Sequence, residues 1–290
     1  MPRIVQIERP DLTGISPTFE LASLEKLSQE KLRQLERRLE EKEENSTLPV
    51  HAKVEYLLRG SRVVVDAGVS RDMELSVATG ATLQTLPRLA RCMLFTWVDK
   101  TLPELLLIID ESKGHVGVFG SVDSTERLPD GSLASLYFHF SESDFAEFMA
   151  RDVVSEGPGP SELVVSLSKA EGEAVRYLMR IALKTLAYSA IPQHKPALLS
   201  TRAEIKAAGI HPKHATRPAY RVRYLPRIIR PTAAADEPKV SDPKEFLGRA
   251  GHLRYYSDER YTHMRGQWQW IPPIEPPDGV KVVYKVRKVR

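Results

Sequence analysis

The residues best suited to molecular recognition lie in one C-terminal segment, residues 248–274, where aromatic and cationic side chains are interleaved. Such a mixture can stack nucleobases and contact phosphates, or it can anchor a peptide through aromatic side chains and β-strand addition. Aromatics at every second position are also ordinary half-buried strand residues, so a small local core is the structural alternative. If the segment binds a partner, we expect these residues to contact it: His252, Arg254, Tyr255, Tyr256, Arg265, Trp268 and Trp270.

Histidines and thiols, the usual soft metal ligands, are poorly arranged along the chain. His211 and His214 form the tightest histidine pair, but Pro212 interrupts any helix that could align them. Cys92 is the only cysteine, which excludes an intramolecular disulfide and a multi-cysteine metal site. We therefore expect no metal site and no cofactor.

Catalytic motifs are equally sparse. The chain has no glycine-rich phosphate loop, no G-x-S-x-G elbow and no H-E-x-x-H helix. Asp110 and Glu111 end an apolar run, where acidic residues usually just enter a turn. We expect a protein that is not an enzyme, with a nuclease that uses His252 or His263 as general base as a minor alternative.

Charge is distributed unevenly along the sequence. Residues 201–290 hold 19 Lys+Arg against 9 Asp+Glu, whereas residues 1–200 hold 23 against 29. A basic final third predicts contact with a polyanion, with an acidic protein surface or with the acidic part of the same chain. Single-stranded RNA or DNA is the alternative ligand, and these residues would bind it: Arg221, Arg223, Arg227, Arg230, Lys285, Arg287 and Lys288.

Length and composition narrow the class of protein. The chain has 290 residues, of which 42% are hydrophobic and 28% are charged, so it can bury one large core or two modest ones. No apolar run approaches the roughly 18 residues that span a bilayer, and the opening residues lack the apolar core of a signal peptide. We expect a cytoplasmic protein that does not contact membranes.

The first element that could position these residues is an N-terminal amphipathic helix over residues 20–44. Its leucines recur at three- and four-residue spacings, which places them on one stripe: Leu21, Leu24, Leu32, Leu35 and Leu39. Docking of this stripe onto the body of the same chain is favoured. Oligomerisation through the same stripe is the alternative.

The central region predicts an antiparallel β-meander followed by a helix. Apolar or alternating runs at residues 103–110, 115–120 and 132–140 are separated by turn residues. Residues 170–190 carry an apolar stripe at helical spacing, and Pro192 ends it. The predicted fold class is α+β, with a meander core packed by helices.

The C-terminal third has a different texture, with recurrent prolines and two strands that alternate cationic and apolar residues, at 217–230 and 280–290. We expect a basic, β-rich module there. The predicted organisation is a helical arm at 1–48, an α+β core at 49–191, and a Pro-rich linker with an aromatic and basic module at 192–290.

Three blocks of the sequence resemble a known family. The blocks are LPELLLIID through DGSLASLYFHF at 102–140, the helix VRYLMRIALKTLAYSA at 175–190, and GHLRYYSDERYTHMRGQWQWIPPI at 251–274. They are similar to a family of phage- and plasmid-borne proteins that includes a type V-A anti-CRISPR protein. The third block is the distinctive one, although Arg249 and Ala250 stand where family members often have two arginines.

The resemblance implies a non-enzymatic regulator from a mobile element, acting in the cytoplasm of a bacterial host. Such a protein would recognise a short peptide, the N-terminal segment of a nascent target protein or of a ribosome–nascent-chain complex, and lower expression of that target. The resemblance also permits contact with RNA through the basic final third.

Overall fold

The structure is a computed structural model that describes residues 9–42, 48–80, 82–98, 102–112, 115–127, 133–141, 145–146, 148–149, 169–208, 210, 217–225, 246–248, 251–272 and 282–284. Helices and a mixed sheet both occur in it, so the predicted α+β class is confirmed. Within these residues, no helix combines the length and the apolar character that a membrane span requires.

Helices and strands are interspersed along the chain, and the longest described helix has 21 residues. The helices are α1 Ala22–Glu25, α2 Gln29–Lys42, α3 Leu48–Arg59, α4 Ala67–Glu74, α5 Lys169–Ser189 and α6 Arg202–Ala207. The strands are β1 Ser61–Val65, β2 Ser76–Thr79, β3 Cys92–Trp97, β4 Leu105–Ser112, β5 His115–Arg127, β6 Leu133–Ser141, β7 Ala197–Leu198, β8 Ala219–Val222, β9 Phe246–Gly248, β10 Gly251–Tyr255, β11 Trp268–Ile271 and β12 Val282–Tyr284.

The largest sheet has the strand order β6-β5-β4-β3-β1-β8-β7. Successive strands from β3 to β6 pair antiparallel, whereas β1 pairs parallel with both β3 and β8. Val65 therefore lies opposite Trp97 on one side and Val222 on the other. A second sheet has the order β11-β10-β2, and β12 pairs with β9.

Helix α5 lies at the centre of the main core. Its apolar stripe, which includes Leu178, Leu183 and Leu186, is fully buried against the sheet and against residues of α4. The helix approaches the sheet closely at Gly120 of β5, where Met179 fills the space next to the glycine and a Cβ added to Gly120 would overlap the Met179 sulfur. The long apolar stripe explains why this helix forms, since most helical stability comes from packing such a face.

The N-terminal arm docks on the other face of the sheet. The sequence predicts one helix over residues 20–44, but the structure has two, because α1 ends at Glu25 and α2 begins at Gln29. Leu32 of α2 is buried with Leu57 of α3 and Leu94 of β3. The stripe thus covers a core of its own chain, while oligomerisation through it stays a prediction.

The predicted boundary between residues 191 and 192 does not separate two sheets. Strand β8 lies beside β1 in the large sheet, and β10 lies beside β2 in the second one. Strands from the C-terminal third thus complete sheets begun before residue 80. Local composition reports turns and linkers but carries no information on a strand's distant partner, and this is why the sequence suggested a separate module.

Candidate functional site

The third block supplies two of the three strands of the second sheet, hereafter the small sheet, which is formed by β2, β10 and β11. Strands β10 and β11 pair antiparallel, with Tyr255 opposite Trp268 and His252 opposite Ile271. Because side chains alternate between the two faces of a strand, the block's side chains divide between an inner face and an outer face. The inner face carries Leu253, Tyr255, Trp268 and Trp270, and the outer face carries His252, Arg254, Tyr256 and Gln269.

The inner face is anchored by Trp268. This side chain is 5% exposed, and its indole Nε1 donates a 2.9 Å hydrogen bond to the carbonyl oxygen of Thr85. The ring of Tyr255 lies 5.4 Å from it, centroid to centroid. Trp268 therefore joins the small sheet to the segment after β2, and its apolar area is buried by packing rather than offered to a partner.

Trp270, the second inner-face tryptophan, contacts the end of α5. Its ring meets the ring of Tyr188 edge-on at 6.0 Å between centroids, and the imidazole of His194 stacks on the Tyr188 ring at 4.0 Å. Burial raises the pKa of Tyr188 above its ordinary value and lowers the pKa of His194, because desolvation disfavours the charged form of each. Burial thus favours the neutral form of both rings.

A buried lysine of α5 forms hydrogen bonds that connect the small sheet to this helix. Lys184 lies one turn before Tyr188 on α5 and is 1% exposed. Its ammonium donates to the carbonyl oxygens of Met73, at 3.4 Å, and Ser76, the first residue of β2. A buried ammonium needs such acceptors, so Lys184 couples the end of α4 and the start of β2 to α5.

On the outer face, one arginine contacts two tyrosines whose rings also contact each other edge-on, 4.7 Å apart between centroids. The Arg254 guanidinium lies 5.0 Å from the ring of Tyr256 and 5.1 Å from that of Tyr261, and it donates a 3.0 Å hydrogen bond to the Tyr261 hydroxyl. Tyr256 is itself buried and donates at 2.6 Å to Gln269. Arg254 is exposed, so this cation–π stack places a fixed positive charge at the surface.

The remaining predicted contacts lie around this stack. His252 Nε2 is 3.0 Å from the hydroxyl of Thr79 on β2, which orients the imidazole on the outer face. Arg265 is exposed and lies 3.4 Å from Glu259 in the turn that joins β10 to β11. The same turn holds Asp258, whose pKa is lowered to about 2 by hydrogen bonds from Arg260.

A β-bulge sets the direction of strand β11. Gly266 has a φ of 76°. Its amide donates a 2.8 Å hydrogen bond to the Tyr256 carbonyl, and the Tyr256 amide donates a 3.1 Å hydrogen bond to the carbonyl of the next residue, Gln267. This is the two-against-one geometry of a bulge with glycine in the left-handed region. The bulge sets which residues of β11 direct their backbone groups toward β10.

The outer edge of β11 is open in the described part of the chain. Hydrogen-bonded pairs alternate along antiparallel strands, so the bond from Tyr256 to Gln267 directs the backbone groups of Gln269 and Ile271 toward β10. The amide and carbonyl groups of Trp268 and Trp270 then face away from β10. Among the described residues, β11 pairs with no other strand.

The cationic residues of the nucleic-acid alternative are less well placed. Arg221 donates a 2.8 Å hydrogen bond to the Asp66 carboxylate, and it is partly buried on β8. Arg223 is exposed just after that strand. The other five lie outside the described residues: Arg227, Arg230, Lys285, Arg287 and Lys288.

Sequence patterns missed several residues that shape this site. Tyr188, Thr79 and Tyr261 contact the predicted residues, and His194 stacks on Tyr188, yet three of these four residues precede the third block by more than fifty positions. Only Tyr261 lies within the block, in the turn that joins β10 to β11. A signal for the others would require knowledge of which strand and helix pack on β10 and β11.

Comparison with known proteins adds no relative to this description: no protein-family model, no curated protein and no solved structure matches the chain.

Proposed function

We propose that the chain is a non-enzymatic recognition protein that binds a short, extended peptide along the open edge of β11. The observation that carries the proposal is the orientation of the Trp268 and Trp270 backbones, whose amide and carbonyl groups face away from β10. An added peptide strand would pair with these groups, as in other complexes formed by β-addition.

The edge is preorganised for such a partner. Trp268 is fixed by its hydrogen bond to Thr85, and Trp270 packs on Tyr188 at the end of α5. A strand held in this way loses little conformational entropy when a peptide pairs with it. The aromatic residues of the third block thus support recognition from beneath the edge, by holding it in place.

The outer face next to the edge gives the peptide site its chemical character. Arg254 is exposed on this face, His252 lies on the same face of β10, and Arg265 is exposed in the turn that joins β10 to β11. In a β-added peptide, alternate side chains project toward this face. We therefore expect a preference for polar or acidic residues at every second position of the peptide.

The resemblance described above makes the proposal more specific. The peptide would be the N-terminal segment of a target protein, met as a free chain or on a ribosome–nascent-chain complex, and its capture would lower expression of the target. In this proposal the protein acts as an anti-CRISPR-like regulator in a bacterial cytoplasm, and the basic residues of its C-terminal third would contact RNA nearby.

Pull-down from a bacterial lysate with the full-length chain, with and without nuclease treatment, provides the first test. We expect one protein or ribosome-bound chain to be recovered after nuclease treatment, and its N-terminal peptide to compete for binding. Recovery of RNA alone, lost after the nuclease, would contradict peptide recognition.

Backbone methylation of the recovered peptide tests the mode of binding. N-methyl groups placed at successive peptide positions remove one amide donor each. Because amides alternate in direction along a strand, methylation should abolish binding at every second position and leave it nearly unchanged at the positions between. In the protein, the Trp268 and Trp270 amides should exchange with solvent more slowly in the complex, whereas the Gln269 amide serves as the internal control. Equal sensitivity at all peptide positions would contradict β-addition.

Single-stranded RNA or DNA binding is the second candidate function, favoured by the exposed Arg223 and by the basic balance of residues 201–290. Phosphate contacts release counterions, so such binding should weaken steeply as salt is raised. A homopolymeric oligonucleotide, titrated at several salt concentrations with the wild type and Arg223→Ala, separates this function from the peptide site. Oligonucleotide binding that changes neither with salt concentration nor on substitution of Arg223 would exclude this function.

A further inference from the structure

The facing ends of α2 and α3 bring together three metal-ligating side chains, on elements that form no part of the small sheet. Glu36 and Glu40 lie one turn apart on α2, and His51 lies in the first turn of α3. One ligand atom from each, two carboxylate oxygens and an imidazole nitrogen, lies within 4.8 Å of the others. We propose that these three residues bind a divalent transition-metal ion, of which Zn²⁺ is the best-matched example.

The helix pair presents the ligands in a suitable arrangement. Arg59, at the end of α3, contacts Glu36 near the middle of α2, whereas His51, at the start of α3, approaches Glu40 near the end of α2. The two helices therefore run antiparallel, and an i, i+4 spacing puts both carboxylates on the side that faces α3. An ion at this point would tie the end of α2 to the start of α3.

Arg59 prepares the Glu36 carboxylate for this role. Its Nη1 lies 2.8 Å from Glu36 Oε1 and its Nη2 lies 3.0 Å from Oε2, so the carboxylate is held from one side. A carboxylate offers about four lone-pair positions, and Arg59 uses two of them. Glu36 is 7% exposed, and an oriented, hydrogen-bonded carboxylate of this kind is typical of metal sites with a supporting outer partner.

The ligand types decide which ions fit. An imidazole nitrogen favours zinc and neighbouring transition metals, whereas Ca²⁺ and Mg²⁺ prefer all-oxygen sites. Three protein ligands with a water molecule complete the tetrahedron of an open zinc site, with metal–ligand distances of about 2.0–2.2 Å. Glu40 is exposed and His51 is half-buried, so both side chains can rotate inward, and solvent can supply the fourth ligand. The proposed site departs from the sequence expectation of no metal, which rested on the spacing of the other histidines, His211 and His214 being the tightest pair, and on the single Cys92.

Titration of the full-length chain with Zn²⁺, followed by calorimetry, tests the proposal. We expect one equivalent to bind, and Co²⁺ in its place to give the intense visible absorption of a four-coordinate site. Glu40→Gln and His51→Gln should each weaken Zn²⁺ binding more than tenfold. Arg59→Met, which removes only the supporting contact, should weaken it by about 10- to 100-fold.

Glu41→Gln is the matched control, because Glu41 is exposed on the same helix and its substitution removes the same charge without touching the cluster. This variant should bind Zn²⁺ as the wild type does. Circular dichroism of each variant without metal establishes that α2 and α3 are folded. At one Zn²⁺ concentration, the Tm of the wild type and of Glu41→Gln should then rise by more than the Tm of the other variants. Absence of one-equivalent binding, or equal affinity in Glu40→Gln, His51→Gln and Glu41→Gln, would overturn the proposal.

Discussion

The two faces of the small sheet use the same residue types for opposite purposes. On the inner face, Trp268 and Trp270 are packed against Thr85 and Tyr188 and connect the sheet to the core. On the outer face, Arg254 contacts the rings of Tyr256 and Tyr261 and remains exposed. Aromatic and cationic residues adjacent in sequence thus divide, by strand alternation, into a stabilising set and a surface set.

This division changes the meaning of the predicted recognition residues. The buried members, Trp268 and Tyr256, stabilise the strands, whereas Arg254 and Arg265 are exposed. The outer edge of β11 pairs with no strand among the described residues. A surface residue contributes to binding by contact. A buried one contributes by keeping the edge rigid, so its substitution should first affect stability.

The largest effect should follow from Trp268→Ala on the inner face. Loss of a buried indole and of its bond to Thr85 should lower the free energy of unfolding by about 3–5 kcal/mol, measured by urea denaturation. Trp268→Phe, which retains a ring, should lose less. A loss of less than about 1 kcal/mol, as for ordinary surface substitutions, would show that the inner face is not a packed core. The two faces would then not differ in their contribution to stability.

A much smaller effect should follow from Arg254→Ala on the outer face. An exposed cation–π contact contributes about 0.5–1 kcal/mol, so the urea midpoint should shift only slightly, while peptide binding at the adjacent edge should weaken. Arg260→Ala is a control in the same turn region, where the arginine pairs with Asp258. A stability loss as large as that of Trp268→Ala would show that both faces are structural.

The smallest effect should be a change in stability with pH that depends on His194. Burial lowers the pKa of this imidazole in the folded chain below its ordinary value of 6.5, so the unfolded chain takes up the proton first. With respect to this group, the folded chain is therefore most stable above about pH 6.5, and its stability decreases as the pH falls toward the lowered pKa of the folded state.

His194→Phe keeps a ring against Tyr188 but cannot titrate. Between about pH 8 and about pH 5, two values on either side of the ordinary histidine pKa of about 6.5, the Tm of the wild type should fall by more than the Tm of this variant. An unchanged difference would show that the imidazole is as well solvated in the folded state as in the unfolded chain.

Strongly periodic segments were predictable from the sequence. The apolar stripe at 170–190 corresponds to α5 at Lys169–Ser189, and the alternation at 132–140 corresponds to β6 at Leu133–Ser141. The N-terminal helix was less so, because Leu21 and Leu24 continue the spacing of the later leucines although the chain turns between α1 and α2. Local side-chain spacing does not register such a turn.

The facial grouping of the third block's side chains was predictable from the sequence, whereas their packing partners were not. The alternation of Trp268 and Trp270 with Gln267 and Gln269 places both tryptophans on one face. Which face meets the core depends on α5 and its Tyr188, about 80 residues away. The metal-ligating cluster of α2 and α3 has the same origin, since only the pairing of these helices brings the imidazole to the two carboxylates.

The sequence by itself determined the strongly periodic elements, such as α5 and β6, and which of their side chains share a face, because these follow from periods of 3.6 and 2 residues along a local stretch of chain. The tertiary structure alone decided that β8 joins β1, that β10 joins β2 and that the edge of β11 stays open among the described residues. Those pairings depend on burial and hydrogen bonds between distant segments, such as those of Thr79 and His252, which lie 173 positions apart. No local pattern encodes contacts of that range.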